Sequence, residues 1–164
     1  MINPKEVIAG FFIAGFLLIT SCADSEIGQP VAFQTVDQDS VFVSGMTVTA
    51  GIYVVRTPTE WSDFWSAVKA SYYPEPPLPP VNFSEKVVIA VVDSVQPTGG
   101  YSITITHLLK SATGVEVHAV HQSPGPDCAV TQAIEQPGHI VSTPVFSGEA
   151  TLIVTETVHN CSTP

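Results

Sequence analysis

Basic residues are scarce in this chain of 164 residues: five Lys and Arg stand against fifteen Asp and Glu, which gives a net charge of −10 at pH 7. A chain of this charge repels the phosphate backbone of nucleic acids and anionic lipid surfaces. We therefore expect no nucleic-acid partner. The acidic residues form no continuous run, so the charge by itself indicates only good solubility.

The usual catalytic motifs are missing as well. The sequence has no GxSxG nucleophile motif, no CxxC pair, no Walker loop and no dinucleotide-binding glycine pattern. Gly99-Gly100 lacks the Lys and the helix of a phosphate-binding loop, and Asp37 and Asp39 lack the Gly and Glu of an EF-hand calcium loop. We expect a protein that is not an enzyme and that has no catalytic residue and no cofactor.

The histidines are the candidates for a metal site: His107, His118, His121, His139 and His159. His118 and His121 are three residues apart, so on a strand their side chains point to opposite faces. A zinc site would therefore need His107 or His139 from another strand. We predict no metal site.

The N-terminus has the pattern of a secretory signal. Lys5 precedes an uncharged apolar stretch over residues 7–19, which is too short to span a membrane but suits the apolar region of a signal peptide. The following Ile19-Thr20-Ser21-Cys22 resembles the bacterial lipobox, in which the Cys is acylated and becomes the first residue after cleavage. This resemblance implies a signal peptide over residues 1–21 and a lipid anchor at Cys22, which would attach the protein to a membrane.

The residue after the lipobox Cys implies a location. Ala23, and not Asp, follows Cys22, and by the usual sorting rule this implies the outer membrane in a Gram-negative cell. The domain would lie in the cell envelope, outside the cytoplasm.

The cysteine count fits this interpretation. The chain has three Cys, and a lipid on Cys22 leaves Cys128 and Cys161 as an even pair in an oxidising compartment. We predict a disulfide between Cys128 and Cys161. A metal site or a reactive thiol is the alternative.

Residues 22–40 are polar and predict a flexible tether, with strand pairing over Val31–Val36 as the alternative, followed by one domain over residues 41–164. Strands are predicted over Met46–Arg56, with a bulge at Gly51, and over most of the chain from residue 86 onward, including the segment 128–136. The apolar run of residues 86–93 is typical of a central strand that is covered on both faces.

One helix is predicted between these strands. Thr57-Pro58-Thr59-Glu60 forms a capping box with Pro at the first helical position. Apolar residues then follow at the spacing of one buried helix face: Trp61, Phe64, Trp65, Val68 and Tyr72. The two Trp are interpreted as core residues, with a carbohydrate-binding platform as the alternative. The fold class is therefore mainly β, a small α+β domain with an antiparallel β sandwich or barrel-like sheet and one amphipathic helix packed on it.

The order of several motifs resembles the PrcB C-terminal domain family. The helix with Trp61 and Trp65 comes first, and the strand from Lys86 and the turn Gln96-Pro97-Thr98-Gly99-Gly100-Tyr101 follow. Ser123-Pro124-Gly125-Pro126 and Pro137-Gly138-His139 close the series. The resemblance covers residues 57–146. It implies an extracytoplasmic protein-binding module, since the family is named after an accessory lipoprotein of a secreted protease complex.

The same turn is similar to a loop of chagasin-like protease inhibitors, NPTTGY, with Gln for Asn and Gly for the second Thr. This similarity implies an inhibitor that inserts the loop 96–101 into a protease. Without a ligand, Pro97 and the two glycines simply form a tight turn.

We predict a non-catalytic lipoprotein that acts as an accessory or protein-binding module, with a protease as one candidate partner. The alternatives are an inhibitor that uses the loop 96–101 and a carbohydrate-binding or structural envelope module. The candidate partner-binding residues come from two turns: Gln96, Pro97, Thr98, Gly99, Gly100, Tyr101, Pro124, Gly125 and Pro126.

Overall fold

The computed structural model describes residues 27–42 and 48–162 of the chain. The predicted signal peptide, Cys22 and the first residues of the predicted tether lie outside this part, as do the first two residues of the strand predicted from Met46. In the part described, the strands are β1 (Pro30–Val31), β2 (Gln34–Phe42), β3 (Gly51–Val55), β4 (Lys86–Val92), β5 (Ser102–Lys110), β6 (Gly114–Pro124), β7 (Glu135–Pro144) and β8 (Glu149–His159), and helix α1 (Pro58–Val68) lies between β3 and β4.

The strands form two four-stranded sheets. The sheet that we call the outer sheet has the strand order β1-β5-β6-β8, and the middle sheet has the order β2-β7-β4-β3. All neighbouring strands are antiparallel except β6 and β8, which run parallel. Helix α1 packs on the face of the middle sheet that points away from the outer sheet. The predicted mainly β fold with one packed helix is confirmed, and of the two predicted alternatives the sandwich is observed.

Strand β4 is central because both of its faces are buried. Ile89 and Val91 face the core between the two sheets, whereas Val88 and Ala90 face the core under the helix. None of these four residues is accessible to solvent. A continuous apolar run is what a strand covered on both faces requires, so the sequence-based prediction for residues 86–93 is confirmed.

Helix α1 begins at the predicted capping box. The Thr57 hydroxyl accepts a hydrogen bond from the Glu60 backbone N–H at 3.2 Å, and the Glu60 carboxylate accepts one from the Thr57 backbone N–H at 3.1 Å. The Glu60 carboxylate also accepts the Arg56 backbone N–H. These hydrogen bonds, with that from Arg56 the most important, lower the pKa of Glu60. Donors that would otherwise lack partners at the start of the helix are thus satisfied.

Both tryptophans of the helix are core residues. Trp61 is 2% exposed and Trp65 is 4% exposed. Their indole N–H groups donate to the backbone oxygens of Pro79 and Pro76, at 2.9 and 3.0 Å, and so hold the proline-rich connector against the helix. The alternative of a tryptophan platform for a carbohydrate is therefore wrong.

The predicted tether of residues 22–40 is wrong from Pro30 onward. Strand β1 pairs with β5, and β2 pairs with β7 along its whole length, so the folded part begins before residue 41. The polar residues of β2 suggested a linker, but they have partners in the fold. The Asp37 carboxylate accepts a hydrogen bond from Lys69 at 2.8 Å, and the Gln38 amide donates to Thr104 at 2.8 Å.

Two predicted strands differ from those observed. The strand predicted over Met46–Arg56 is seen only as Gly51–Val55, and its pairing with β4 shows no bulge. Most of the predicted strand over residues 128–136 consists of bends and irregular backbone, and only its last two residues belong to β7. No helix in the described part of the chain has the length and apolar character to cross a membrane.

Candidate functional site

The two predicted partner-binding turns meet at one end of the sandwich. The first connects β4 to β5, and the second lies at the end of β6. A Cβ atom placed on Gly100 would lie 3.2 Å from Cβ of Pro124 and 3.1 Å from Cγ1 of Val130. The structure thus brings residues from both turns together, although they are more than 20 positions apart in the sequence. We call the surface formed by residues 95–101, 124–126 and 134 the turn rim.

The residues of the turn rim differ in exposure. Pro97, Gly100 and Pro126 are exposed, Gln96, Thr98, Tyr101 and Pro124 are half-buried, and Gly99 and Gly125 are buried. Two exposed apolar side chains that the sequence-based prediction missed flank them: Val95 and Ile134. Each directly precedes a member of the antiparallel bridge between Gln96 and Glu135, so Val95 and Ile134 lie at opposite ends of this bridge.

The first turn is attached to the chain that runs beside it. Gln96 and Glu135 exchange two backbone hydrogen bonds, at 2.7 and 3.1 Å, and the Gly99 backbone N–H donates to the Thr131 oxygen at 2.9 Å. Gly100 has a φ of 93°, which favours glycine. The turn therefore lies along residues 131–135 and presents one side to solvent.

A polar cluster supports this turn from below. The His121 Nε2 atom lies 3.0 Å from a carboxylate oxygen of Asp93, and His121 Nδ1 contacts the Glu156 carboxylate. The Tyr101 ring stacks on the His121 ring at a centroid distance of 6.0 Å. Asp93 follows β4 of the middle sheet, whereas His121 and Glu156 lie on β6 and β8 of the outer sheet, so the cluster joins the two sheets.

The cluster ties the turn to both sheets. Each ring nitrogen of His121 has a carboxylate beside it, that of Asp93 at Nε2 and that of Glu156 at Nδ1. Asp93 is held further by the side-chain amide of Gln96 at 3.1 Å and by the backbone N–H of Ser94 at 2.7 Å. The sequence alone pointed to His121 only as a histidine on the opposite face from His118, because its partners are 28 and 35 positions away.

The second turn is attached to the C-terminal segment. Cys128 and Cys161 form a disulfide with a Cα–Cα distance of 5.1 Å, which confirms the predicted pair. The Gly125 backbone N–H donates to the His159 oxygen at 2.7 Å. The Asp127 carboxylate accepts the Ser162 backbone N–H, and this hydrogen bonding lowers the pKa of Asp127. Both turns therefore have fixed backbone positions.

The five histidines lie in four separate environments, one of which is the cluster around His121. His107 and His118 stack on each other at a centroid distance of 4.2 Å, and His139 is buried between the sheets. Within the ranges described, one group of three possible metal ligands occurs, formed by Cys128, His159 and Cys161. Its two sulfur atoms are joined in the disulfide, so they are not available as thiolate ligands.

A comparison with protein families supports the resemblance seen in the sequence. The family model described as PrcB C-terminal matches residues 87–144. This confirms the predicted resemblance over β4 to β7, including both turns of the rim, while helix α1 lies outside the matched segment. No curated protein and no solved structure matches the chain.

Proposed function

We propose that the chain is a lipid-anchored, extracytoplasmic accessory protein that binds a protein partner through the turn rim. The PrcB C-terminal match over residues 87–144 supports the accessory role, and the lipobox-like segment that ends at Cys22 supports the anchor. The family indicates a module related to a protease complex, so a secreted protease is the first candidate partner. The proposal assigns the chain a binding role and no catalytic step.

The observation that carries the proposal is the hydrogen-bonded backbone of two adjacent turns with exposed apolar side chains beside them. Exposed Val95 and Ile134 flank the polar turn backbone. A surface whose backbone is held in place before binding loses less conformational entropy on association than a flexible one. Exposed apolar side chains beside hydrogen-bonding backbone groups are what protein interfaces combine.

The geometry favours surface contact over insertion into a protease cleft. An inhibitory loop of the chagasin kind has to project from the fold. Here the Gly99 backbone is bonded to Thr131, and Tyr101 is half-buried on His121. The turn rim therefore offers a broad surface with little projection, which supports an accessory role.

The lipid anchor at Cys22 belongs to the same proposal. Cys128 and Cys161 are paired with each other, so neither is a disulfide partner for Cys22. A lipid on Cys22 would hold the protein at a membrane, at the outer membrane if the cell is Gram-negative. Metabolic labelling with a palmitate analogue should label the wild-type chain and not Cys22→Ser. Equal labelling of the two would contradict the anchor.

Partner binding is tested with two matched charge substitutions. Ile134 and Val145 are 57% and 54% exposed and directly flank strand β7 at its two ends, so only Ile134 lies in the turn rim. We expect Ile134→Glu to reduce the partner recovered with the full chain from native envelopes at least tenfold. Val145→Glu should leave recovery unchanged.

The identity of the recovered protein decides the finer part of the proposal. Mass spectrometry should identify a protein with a peptidase domain among those lost with Ile134→Glu. If Ile134→Glu and Val145→Glu retain the same proteins, the turn rim is not the binding surface. If the lost protein has no peptidase domain, the accessory role stands and the protease assignment is wrong.

A further inference from the structure

Strand β8 has a long free edge. It is the last strand of the outer sheet and pairs only with β6 among the described residues. Its side chains include exposed Val154 and Val158, which are 41% and 60% accessible. Natural proteins usually shorten, charge or cover such an edge, because it is a template for another strand.

The hydrogen bonds of β8 show which residues face this edge. The Glu149 backbone N–H donates to Thr113, and the His159 oxygen accepts from Gly125, so both residues point toward β6 and its flanking residues. In a strand, the backbone groups of successive residues point to alternate sides. The even-numbered residues from Ala150 to Val158 therefore direct their N–H and C=O groups to the free edge, where the described part of the chain offers them no backbone partner.

We propose that a second copy of this chain pairs with β8 in antiparallel orientation, with the two Val154 residues opposite each other. In this register Ala150 lies opposite Val158 and Leu152 opposite Glu156. All of these residues direct their hydrogen-bonding groups outward, so the two strands can form about ten hydrogen bonds. The two outer sheets would join into one continuous sheet.

The side chains on the other face of β8 are complementary in the same register. Glu149 of one copy lies opposite His159 of the other at both ends of the pair, which places an acid beside a base. Thr151 lies opposite Thr157, and Ile153 lies opposite Thr155. Opposite charges, Thr–Thr pairs and pairs with β-branched residues are the cross-strand neighbours that stabilise sheets.

The register centred on Glu156 is unfavourable. Centring the pair on residue 156 would place the two Glu156 carboxylates against each other, and like charges directly opposite destabilise a sheet. The register centred on Val154 separates them, and each Glu156 keeps its contact with His121 of its own copy. The charges along β8 therefore disfavour the register centred on Glu156 and fit the one centred on Val154.

Cysteine cross-linking tests the register directly. Residues that face each other in a hydrogen-bonded antiparallel pair have Cα atoms about 5.5 Å apart, within the range that a disulfide spans. Val154→Cys in the full chain, held in detergent, should give a covalent dimer on a non-reducing gel after mild oxidation. Thr151→Cys is the matched control, because position 151 faces Thr157 of the other copy and lies about 20 Å from the other copy's position 151.

We expect at least tenfold more dimer with Val154→Cys than with Thr151→Cys or with the wild type, which has no added cysteine. Equal cross-linking of the two variants would overturn the proposal. Cross-linking of Val154→Cys to a different protein, with no self-dimer, would overturn it too and assign the edge to a foreign strand.

A proline substitution gives an independent test. Val154→Pro removes an N–H that points away from β6, so the pairing of β6 with β8 is retained. Thr155→Pro, in contrast, removes an N–H that points toward β6 and should weaken that pairing. By sedimentation velocity in detergent, the wild type should be dimeric and Val154→Pro monomeric with an unchanged circular dichroism spectrum. A wild type that stays monomeric at the highest attainable concentration would refute the proposal.

Discussion

The imidazole Nδ1 of His139, on β7 of the middle sheet, accepts a hydrogen bond from the backbone N–H of Ile105, on β5 of the outer sheet, at 2.8 Å. Strand β1 pairs with β5 only at Leu108 and Leu109, so Ile105 lies on a part of the edge that β1 does not cover. The other ring nitrogen lies 2.9 Å from the Thr35 hydroxyl. Because a backbone N–H always donates, Nδ1 is unprotonated and Nε2 carries the proton.

This hydrogen bond predicts a loss of stability in weak acid. Burial of the imidazole lowers the pKa of His139 below its ordinary value of 6.5, and the negative charge of Asp37 opposes this only in part. Below that value the unfolded chain takes up a proton that the folded chain excludes. The free energy of unfolding therefore falls as the pH drops below 6.5, by at most about 1.4 kcal/mol per pH unit from this group.

His139→Asn separates this effect from that of the other histidines. The Asn side-chain oxygen replaces Nδ1 as the acceptor for Ile105 and does not titrate. Urea unfolding at about pH 7.5 and pH 5 should show a smaller difference between the two pH values for the variant than for the wild type. If the pH dependence is as steep in His139→Asn as in the wild type, titratable groups other than His139 cause it.

The parts of the fold that the sequence predicts are those specified by local chemistry. The capping box at Thr57 fixes where helix α1 begins, and the apolar run from Val87 marks a strand buried on both faces. Cys128 and Cys161 were predicted as a pair because they are what remains once Cys22 is assigned to the lipid. Each of these predictions needs few or no contacts between distant residues.

The parts that could not be predicted depend on contacts between distant residues. The polar strand β2 resembled a tether because nothing nearby in the sequence shows that Lys69 binds Asp37. Tyr72 was predicted on the buried face of the helix, but the helix ends at Val68 and Tyr72 donates to Asp39 instead. Likewise, Asp93 and His121 come together only when the two sheets pack.

Lys69 directly follows helix α1 and links it to strand β2 through ion pairs, which should contribute to the free energy of unfolding. Its side chain is 3% exposed, its Nζ lies 2.8 Å from Asp37 and 3.6 Å from Asp39, and it lies over the rings of Trp65 and Tyr72. Burial and the hydrogen bond to Asp39 raise the pKa of Tyr72, so the Tyr is neutral and Lys69 is the charge that balances the two acids.

We expect Lys69→Met to lower the free energy of unfolding by about 2 kcal/mol, because it leaves a partly buried carboxylate unpaired. This estimate is below that for a fully buried pair because both acids are partly exposed. Adding Asp37→Asn should recover part of the loss, and a double-mutant cycle in urea measures the coupling. Additive effects of the two substitutions would show that the ion pair contributes nothing.

Because Cys128 and Cys161 form a disulfide, the stability of the protein should depend on redox conditions. Its cysteines are 33 positions apart, and closing a loop of that length stabilises a fold by about 3–4 kcal/mol in the chain-entropy model. Replacing both Cys128 and Cys161 by Ser should lower the urea midpoint accordingly. A reductant should shift the urea midpoint of the wild type to that of the double variant and leave the double variant unchanged. A wild-type midpoint that does not change with the reductant would contradict the structure.

Gly100 lies where the two turns of the turn rim pack together, so its replacement should affect stability as well as partner binding. Its φ of 93° is unfavourable for a residue with a side chain, and a Cβ would press on Pro124 and Val130. Gly28 has a similar φ of 80°, but a Cβ there would meet nothing within 4 Å. Both Gly→Ala variants should therefore lose about 1 kcal/mol from backbone strain, and Gly100→Ala should lose more because Pro124 has to move.

The difference between the two variants isolates the packing between the turns. If the turn rim binds the partner, Gly100→Ala should weaken partner recovery from envelopes, whereas Gly28→Ala should retain it at the wild-type level. Urea unfolding checks the stabilities of both variants under the same conditions. If Gly100→Ala is as stable as Gly28→Ala and recovers as much partner, contact between the two turns matters neither for the fold nor for binding.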